Sequence, residues 1–338
     1  MPIFKRSAMT QQSEHQVCAP ALRDAPKLVS VVVPLYNESG NVKVVARAIR
    51  EALGSLKYEL VLVDDGSTDS TSLEIEQLSA EDCGVVGVCL ARNFGHQSAL
   101  AAGLSVATGS VIVMMDGDMQ HPPSLLPELV AKWREGYNVV QTRRLDAGRT
   151  PLLKRLASRW FYKVFRRICR IEVDPGMADF RLIDRSVLDQ LNKLEEGDMF
   201  FRGMLAWMGF RQAVVPFEVG QRRQGKSKYT LRKMIGLAKT GLFSFSSLPL
   251  RISTRLGLLM ALAAAVEFVY VIVVYLRGTV VAGWASTTAV MSALFSMLFL
   301  LMGIQGEYIH RIYERVRRRP AYLVGRIIRR GADAPSEQ

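Results

Sequence analysis

Cysteine is scarce. Four occur in 338 residues (Cys18, Cys83, Cys89 and Cys169), with no CxxC pair among them. That excludes a zinc knuckle and a disulfide scaffold, and suggests reduced, structural thiols in a cytosolic setting. The first 27 residues lack an apolar run and carry Pro20 and Pro26. They are expected to be a loose leader, not a signal peptide. Acids are short as well: 31 Asp and Glu face 44 Lys and Arg, a formal charge of +13 and a pI near 9.8. Such a balance points to phosphate-bearing partners, whether nucleic acid, anionic membrane or a phosphorylated ligand. The length suffices for one or two domains with a sizeable core.

What is present is an alternation. Apolar runs at 28–34, 58–63, 85–90, 111–115 and 138–142 read as strands. Helical patterns at 41–53, 70–78, 97–107 and 123–133 separate them. Continuous Val/Ile/Leu strands between helices argue for a mostly parallel sheet covered on both faces, a Rossmann-like α/β domain. In such sheets ligands bind outside the carboxyl ends of the strands. Those ends read "PLYNESGN", "DDGSTD", "ARNFGHQ" and "DGDMQHPP". "DDGS" alone fits a turn, with Gly66 at positive φ and Ser67 or Thr68 capping the next helix. Four polar ends on one rim exceed what turns require.

"VIVMMDGDMQHPP" (111–123) is the most specific stretch. Asp116 and Asp118 alternate along an extended segment, with Gly117 allowing close approach of the backbone. Two carboxylates and the Gln120 carbonyl suit a hard divalent cation that keeps waters and shares substrate phosphates. The competing reading makes the acids caps of the helix starting near Ser124.

The set "VVVPLYNE", "LVDDGSTD", "RNFGHQSAL", "MDGDMQHPP", "ADFRLIDR" and "RRQGKSKY" resembles the family-2 glycosyltransferases of GT-A fold, in order across roughly residues 28 to 320. Within them it resembles the polyprenyl-phosphate glycosyltransferases, which include dolichol-phosphate mannose synthases and, more closely, bactoprenol glucosyltransferases. The resemblance implies a catalytic domain over 28–228. Pro34, Tyr36, Asn37 and Glu38 would border base and ribose, and Asp65 would hydrogen-bond the base. Arg92, Asn93 and Gln97 would complete that pocket. Asp116 would meet the ribose or sugar side of the donor. Asp118 with Gln120 would hold Mg²⁺ or Mn²⁺ against the diphosphate. Asp179 and Arg181 would lie near the reacting sugar, Asp179 more as an orienter than as a base, because a lipid phosphate is already ionised. Arg222, Ser227 and Lys228 would grip the diphosphate. Arg144 and Ser158 would approach the acceptor phosphate.

The segment 143–181 is dense in Arg and Lys, with aromatics between. Leu153, Leu156, Trp160, Val164 and Ile168 fall on one helical face, which reads as packing. A solvated charge run and base stacking are the competing readings. From 229 to 250 the apolar positions form a stripe that Arg232, Lys233 and Lys239 avoid, an interfacial amphipathic helix. Two long apolar runs follow, 256–276 with the single charge Glu267 and 285–304 with none, within a membrane region over 251–310. The link between them is too short for a domain, so a helical hairpin is expected. Glu267 would face another helix or subunit. Eight arginines and one acid lie within 310–330, and the tail 311–338 is read as basic and cytoplasmic. Basic residues also precede the first run, which puts both termini and the catalytic domain in the bacterial cytoplasm.

These readings give an inverting transfer of a sugar, glucose by resemblance, from UDP-glucose to undecaprenyl or another polyprenyl phosphate. An amino sugar, galactose or mannose would use much the same motifs. The resemblance implies a homo-oligomer, a tetramer. Three rival readings fit less well. A processive polysaccharide synthase should show Q-x-x-R-W, but Arg159–Trp160 follow Leu156. A membrane scaffold that only binds the nucleotide sugar would not need every motif intact. A nucleic-acid binder fits the charge, but its basic residues would not cluster beside membrane runs, where anionic lipid explains them.

Overall fold

A computed structural model describes residues 22–145, 177–194, 201–218, 248–277, 283–317 and 319–330. Ser158, Arg222, Ser227, Lys228, the helical face at 153–168 and the amphipathic stretch through residue 247 lie outside the described residues.

The sheet has eight strands: β1 (Val29–Leu35), β2 (Tyr58–Asp64), β3 (Val85–Leu90), β4 (Val111–Met114), β5 (Val139–Leu145), β6 (Met177–Asp184), β7 (Gln212–Glu218) and β8 (Val324–Ile328). Their spatial order is β7-β5-β6-β4-β1-β2-β3-β8. The central four, β4-β1-β2-β3, are parallel, as expected. β6 runs antiparallel between β4 and β5, and β7 returns parallel to β5. Val31 and Val33 face one core, Val32 and Val63 the other, and all are fully buried. A strand covered on both faces has no polar side to alternate with, so its sequence is a continuous apolar run.

On the first face lie α1 (Val42–Leu53), α2 (Thr71–Glu81) and α4 (Leu126–Arg134); on the second, α3 (His96–Val106), α5 (Arg185–Lys193) and α6 (Phe201–Trp207). In α1 the buried residues are Val42, Val45, Ala46, Ile49 and Leu53. That spacing at three and four makes one helical stripe. Gly103 of α3 sits where an added Cβ would run into Val32 and Val63, so the missing side chain sets how closely the helix lies on the sheet.

Three expectations change. The leader is tied down at its end: Arg23 N donates to Arg134 O at 2.8 Å, and its guanidinium pairs with Asp184 at 3.0 Å over the Trp133 ring. Part of the C-terminal tail returns to the sheet. β8 pairs antiparallel with β3, and Arg326 reaches Glu76 at 3.0 Å. A free strand edge carries unpaired amides, which β8 satisfies. Cys83 is exposed, so only Cys89 fits the structural-thiol reading among the described cysteines.

The two apolar runs are α7 (Leu248–Leu276) and α8 (Trp284–Val316). At 29 residues α7 is about 43 Å long, enough to cross a bilayer. Their most apolar stretches, Ile252–Tyr270 and Ala293–His310, are 6% and 0% buried. A core helix of a water-soluble domain would be mostly covered; these present Leu262, Phe268 and Phe299 outward. The helices pack together where Gly257 meets Leu301. Glu267 is half-buried.

Candidate active site at the carboxyl ends of the central strands

The parallel register places the ends of β1, β2 and β4 together, with Leu35 opposite Asp64 and Val32 opposite Met114. The polar segments that follow interlock. Asn37 adopts a positive φ of 52°. Its backbone N–H donates to Ser67 Oγ at 3.0 Å, and its side-chain carbonyl accepts from Thr68 N at 2.9 Å. Ser67 and Thr68 are therefore spent on the neighbouring segment and do not cap α2. The Glu38 N–H donates to Thr71 Oγ1, and Asn41 Nδ2 donates to the Glu38 carboxylate at 2.6 Å. Pro34 is buried at the base of this segment, and Tyr36 is exposed at its tip.

Asp65 was expected to meet a base, but it is only 3% exposed. Both its oxygens accept from the next strand end, Phe94 N at 2.7 Å and Gly95 N at 3.0 Å. Burial pushes its pKa up, against the pull of those two amides. The carboxylate shapes the Arg92–Gly95 loop from behind. Gly66 completes the fit: its φ is +66°, and a Cβ there would strike the backbone of Arg92 and Asn93. Arg92 and Asn93 are exposed, with the Arg92 guanidinium 4.2 Å above the Phe94 ring; Gln97 is half-buried in the first turn of α3.

The β4 end carries the densest chemistry. Asp118 accepts from Gln120 N at 3.1 Å and from Gln120 Nε2 at 2.7 Å. These two residues, expected to hold a cation, are thus in contact. The helix-cap alternative is excluded, because neither the Pro123–Leu125 3₁₀ turn nor α4 has a side-chain cap bond. Among the described residues no three His, Cys, Asp or Glu gather as a metal cage. A carboxylate and an amide carbonyl are the oxygen donors suited to Mg²⁺ or Mn²⁺ completed by waters and phosphates. Met119 between them adopts a positive φ of 58°. Gly117 lies against Leu35, whose side-chain end would have to shift to admit a Cβ there.

Asp116 lies between two histidines, His96 and His121. His96 Nε2 is 3.3 Å from its Oδ1, and His121 Nδ1 is 3.5 Å from its Oδ2. His121 is fully buried, stacked on Phe180 at 5.4 Å and edge-on to Phe217 at 5.9 Å. Burial lowers its pKa, and nearby charges on Asp116, Arg144, Asp118 and Asp179 act on it too. Its position in "DGDMQHPP" was the available signal; its partners on β5 and β6 could not be read from spacing.

Arg144 on β5 reaches His121 Nε2 with Nη2 at 3.3 Å, and its buried Nε–H has no hydrogen-bond partner among the described residues. On β6, Met114 pairs with Arg181, so the antiparallel register carried two residues further brings Asp179 alongside Asp116. Arg181, expected at the sugar, is 1% exposed. Its Nη2 donates to Asp179 Oδ1 at 2.5 Å and to Ala178 O at 3.2 Å. Buried beneath the rim, it supports Asp179 from below.

The rim therefore gathers Asp116, Asp118, Gln120, Asp179 and Arg144 from β4, β6 and β5, beside the loops of β1, β2 and β3. Comparison with known proteins shows the family. The model of the Glycosyl transferase family 2 matches residues 30–191. An uncharacterized glycosyltransferase of Synechocystis is 39% identical over 88% of this chain and 94% of its own. A bactoprenol glucosyl transferase of Shigella phage SfII is 35% identical over 88% and 97%. A prophage bactoprenol glucosyl transferase homolog of Escherichia coli is 34% identical over 88% and 99%. Among solved structures, a mannosyltransferase from Pyrobaculum calidifontis in complex with GDP-Man and Mn²⁺ shares 18% identity at TM-score 0.47, over 84% of this chain and 89% of its own; a likeness at that level supports no inference about ligand or activity. With its motifs in order on one rim and such relatives matched along nearly their whole length, the chain belongs to the family-2 glycosyltransferases.

Proposed function

We propose that this protein transfers glucose from UDP-glucose to a polyprenyl phosphate such as undecaprenyl phosphate, at the cytoplasmic face of a bacterial inner membrane. The observation that carries the reading is a cation-type pair, Asp118 with Gln120, on the same turn as Asp116, which one buried histidine, His121, links to a guanidinium, Arg144. The first suits a diphosphate and the second a phosphate, which are the two anions such a transfer must bring together. The relatives named as bactoprenol glucosyl transferases support this choice of sugar and acceptor. The exposed apolar faces of α7 and α8 support a membrane hairpin.

In this reading Asp118 and Gln120 would hold Mg²⁺ or Mn²⁺, which would supply positive charge to the departing diphosphate. Tyr36, Asn37, Arg92 and Asn93 border the nucleotide, and Asp65 fixes the loop that carries Arg92. Asp116 orients the sugar side of the donor. Asp179, held by Arg181, faces the reacting carbon and orients the groups there. Arg144 aligns a phosphate oxygen of the acceptor for attack at the anomeric carbon, which leaves that centre inverted. The phosphate is already ionised near neutral pH and needs no strong base. Arg222, Ser227 and Lys228 are proposed for the diphosphate and Ser158 for the acceptor, and a tetramer is the proposed assembly.

The test is a transfer assay in detergent with Mg²⁺, undecaprenyl phosphate and a panel of radiolabelled nucleotide sugars. One lipid-soluble product, formed with UDP-glucose and lost on adding EDTA, is expected. Free sugar or polymer in its place would overturn the reading.

A further inference from the structure

His121 touches both halves of the rim, and the chemistry of its neighbours settles how it does so. A guanidinium has only donors to offer. The Arg144 Nη2 contact at 3.3 Å therefore requires a lone pair on His121 Nε2. In a neutral imidazole that leaves the hydrogen on Nδ1, which faces Asp116 Oδ2 at 3.5 Å. The opposite tautomer would accept from Asp116 N at 3.4 Å, but it would aim Nε2–H at the guanidinium and a lone pair at the carboxylate, two repulsions that the first tautomer avoids. The ring cannot turn away from either partner, because Phe180 and Phe217 pack against it and no solvent reaches it. Both contacts lie near the long limit for hydrogen bonds, and such site contacts tighten when ligands fill a site.

We propose that His121 is a positioning residue that couples donor to acceptor, giving its Nδ1–H to Asp116 and taking a hydrogen bond from Arg144 on Nε2. Asp116 and Arg144 are thereby tied to one fixed ring, which sets the donor-side carboxylate and the acceptor-side guanidinium at a constant separation. This inference rests on the acceptor role of Arg144 given above.

Two substitutions separate the two bonds, and a third removes both. In His121→Asn the amide can still donate at the Nδ1 position, but nothing reaches Arg144. In His121→Gln an oxygen at the Nε2 position can still accept from Arg144, but Asp116 loses its donor. His121→Phe keeps a buried ring and makes neither bond. With donor and acceptor varied separately, His121→Asn is expected to raise the KM for undecaprenyl phosphate about tenfold and leave the donor KM near its original value. His121→Gln is expected to do the reverse. His121→Phe should lose about a hundredfold in kcat at an unchanged melting temperature. Near-normal turnover in His121→Phe would overturn the inference and leave His121 a packing residue. So would equal changes of both KM values in the Asn and Gln variants, which remain informative if the Phe variant does not fold. A parent enzyme that makes no lipid-linked product would overturn the acceptor reading itself, and the coupling with it. Lipid-linked product from the parent with no split between the Asn and Gln variants would sink the coupling alone.

Discussion

The two rims of the sheet use the same residue types to opposite ends. At the rim where β1, β2 and β4 begin, polar groups are closed on one another. Glu59 accepts from Ser30 Oγ at 2.5 Å, Thr108 N at 2.7 Å and Thr108 Oγ1 at 2.9 Å. Asp184 accepts from Arg23, Trp133 and Ser186, and Arg185 caps the carbonyls of Ala107 and Gly109. At the other rim, Asp116 and Asp118 keep partial exposure, Asp116 beside His96 and His121 and Asp118 against Gln120, while Arg92 and Asn93 stand in the open. A carboxylate with every lone pair satisfied inside the protein stabilises the fold; one left partly open keeps capacity for a ligand. The difference separates stability from function on a single sheet.

Breaking the open rim should cost activity and spare the fold. Asp118→Asn is expected to lower turnover by about three orders of magnitude, because it weakens the diphosphate's cation site. Thermal melting of the same variant should be nearly unchanged. Breaking the closed rim should do the reverse. Glu59→Ala takes the acceptor from the buried Ser30 hydroxyl and from the amide and hydroxyl of Thr108, and should cost roughly 1–3 kcal/mol of stability in denaturant unfolding. Its donor KM should stay as it was.

Asp65 sharpens the contrast, because it sits at the open rim but is closed like the other. Asp65→Asn turns one acceptor into a donor facing a backbone N–H, so the Arg92–Gly95 loop should loosen. The expected result is a donor KM raised about tenfold with kcat little changed.

The smallest effect is one of pH. Burial alone would raise the Asp184 pKa, but the Ser186 and Trp133 donors and the Arg23 charge outweigh it and hold it below the ordinary value. A depressed folded pKa means the unfolded chain binds the proton more readily, so stability falls with falling pH. The contribution is fully present above the unfolded value of about 3.9 and is lost as pH drops through the folded one. Melting followed from pH 6 down to pH 3 should show a shallower acid slope in Asp184→Asn than in the parent.

Much of this organisation could be read directly from the residues. The five apolar runs at 28–34, 58–63, 85–90, 111–115 and 138–142 are β1 to β5, because a strand buried on both faces needs no partner to be recognised. The polar segments after them were legible as one rim, since parallel strands joined by helices must end on the same side. Asp118 and Gln120 were legible as a pair because only two residues separate them. β6, β7 and β8 were not: 177–184 and 212–218 carry polar residues among the apolar ones, and the tail reads simply as basic. Arg181 also misled: its place in a motif suggested a ligand contact, and its burial makes it a support.

By itself, then, the sequence determined what local spacing can encode: the alternating strands and helices, the acid pair after β4, and two apolar runs long enough for a membrane. Tertiary structure alone decided which strands became edges, that residues 324–328 close one of them, and that His121 of one turn meets Arg144 of another strand. Those outcomes depend on contacts between distant parts of the chain. There the need to pair backbone amides and satisfy buried polar atoms chooses the partner, and no local pattern records that choice.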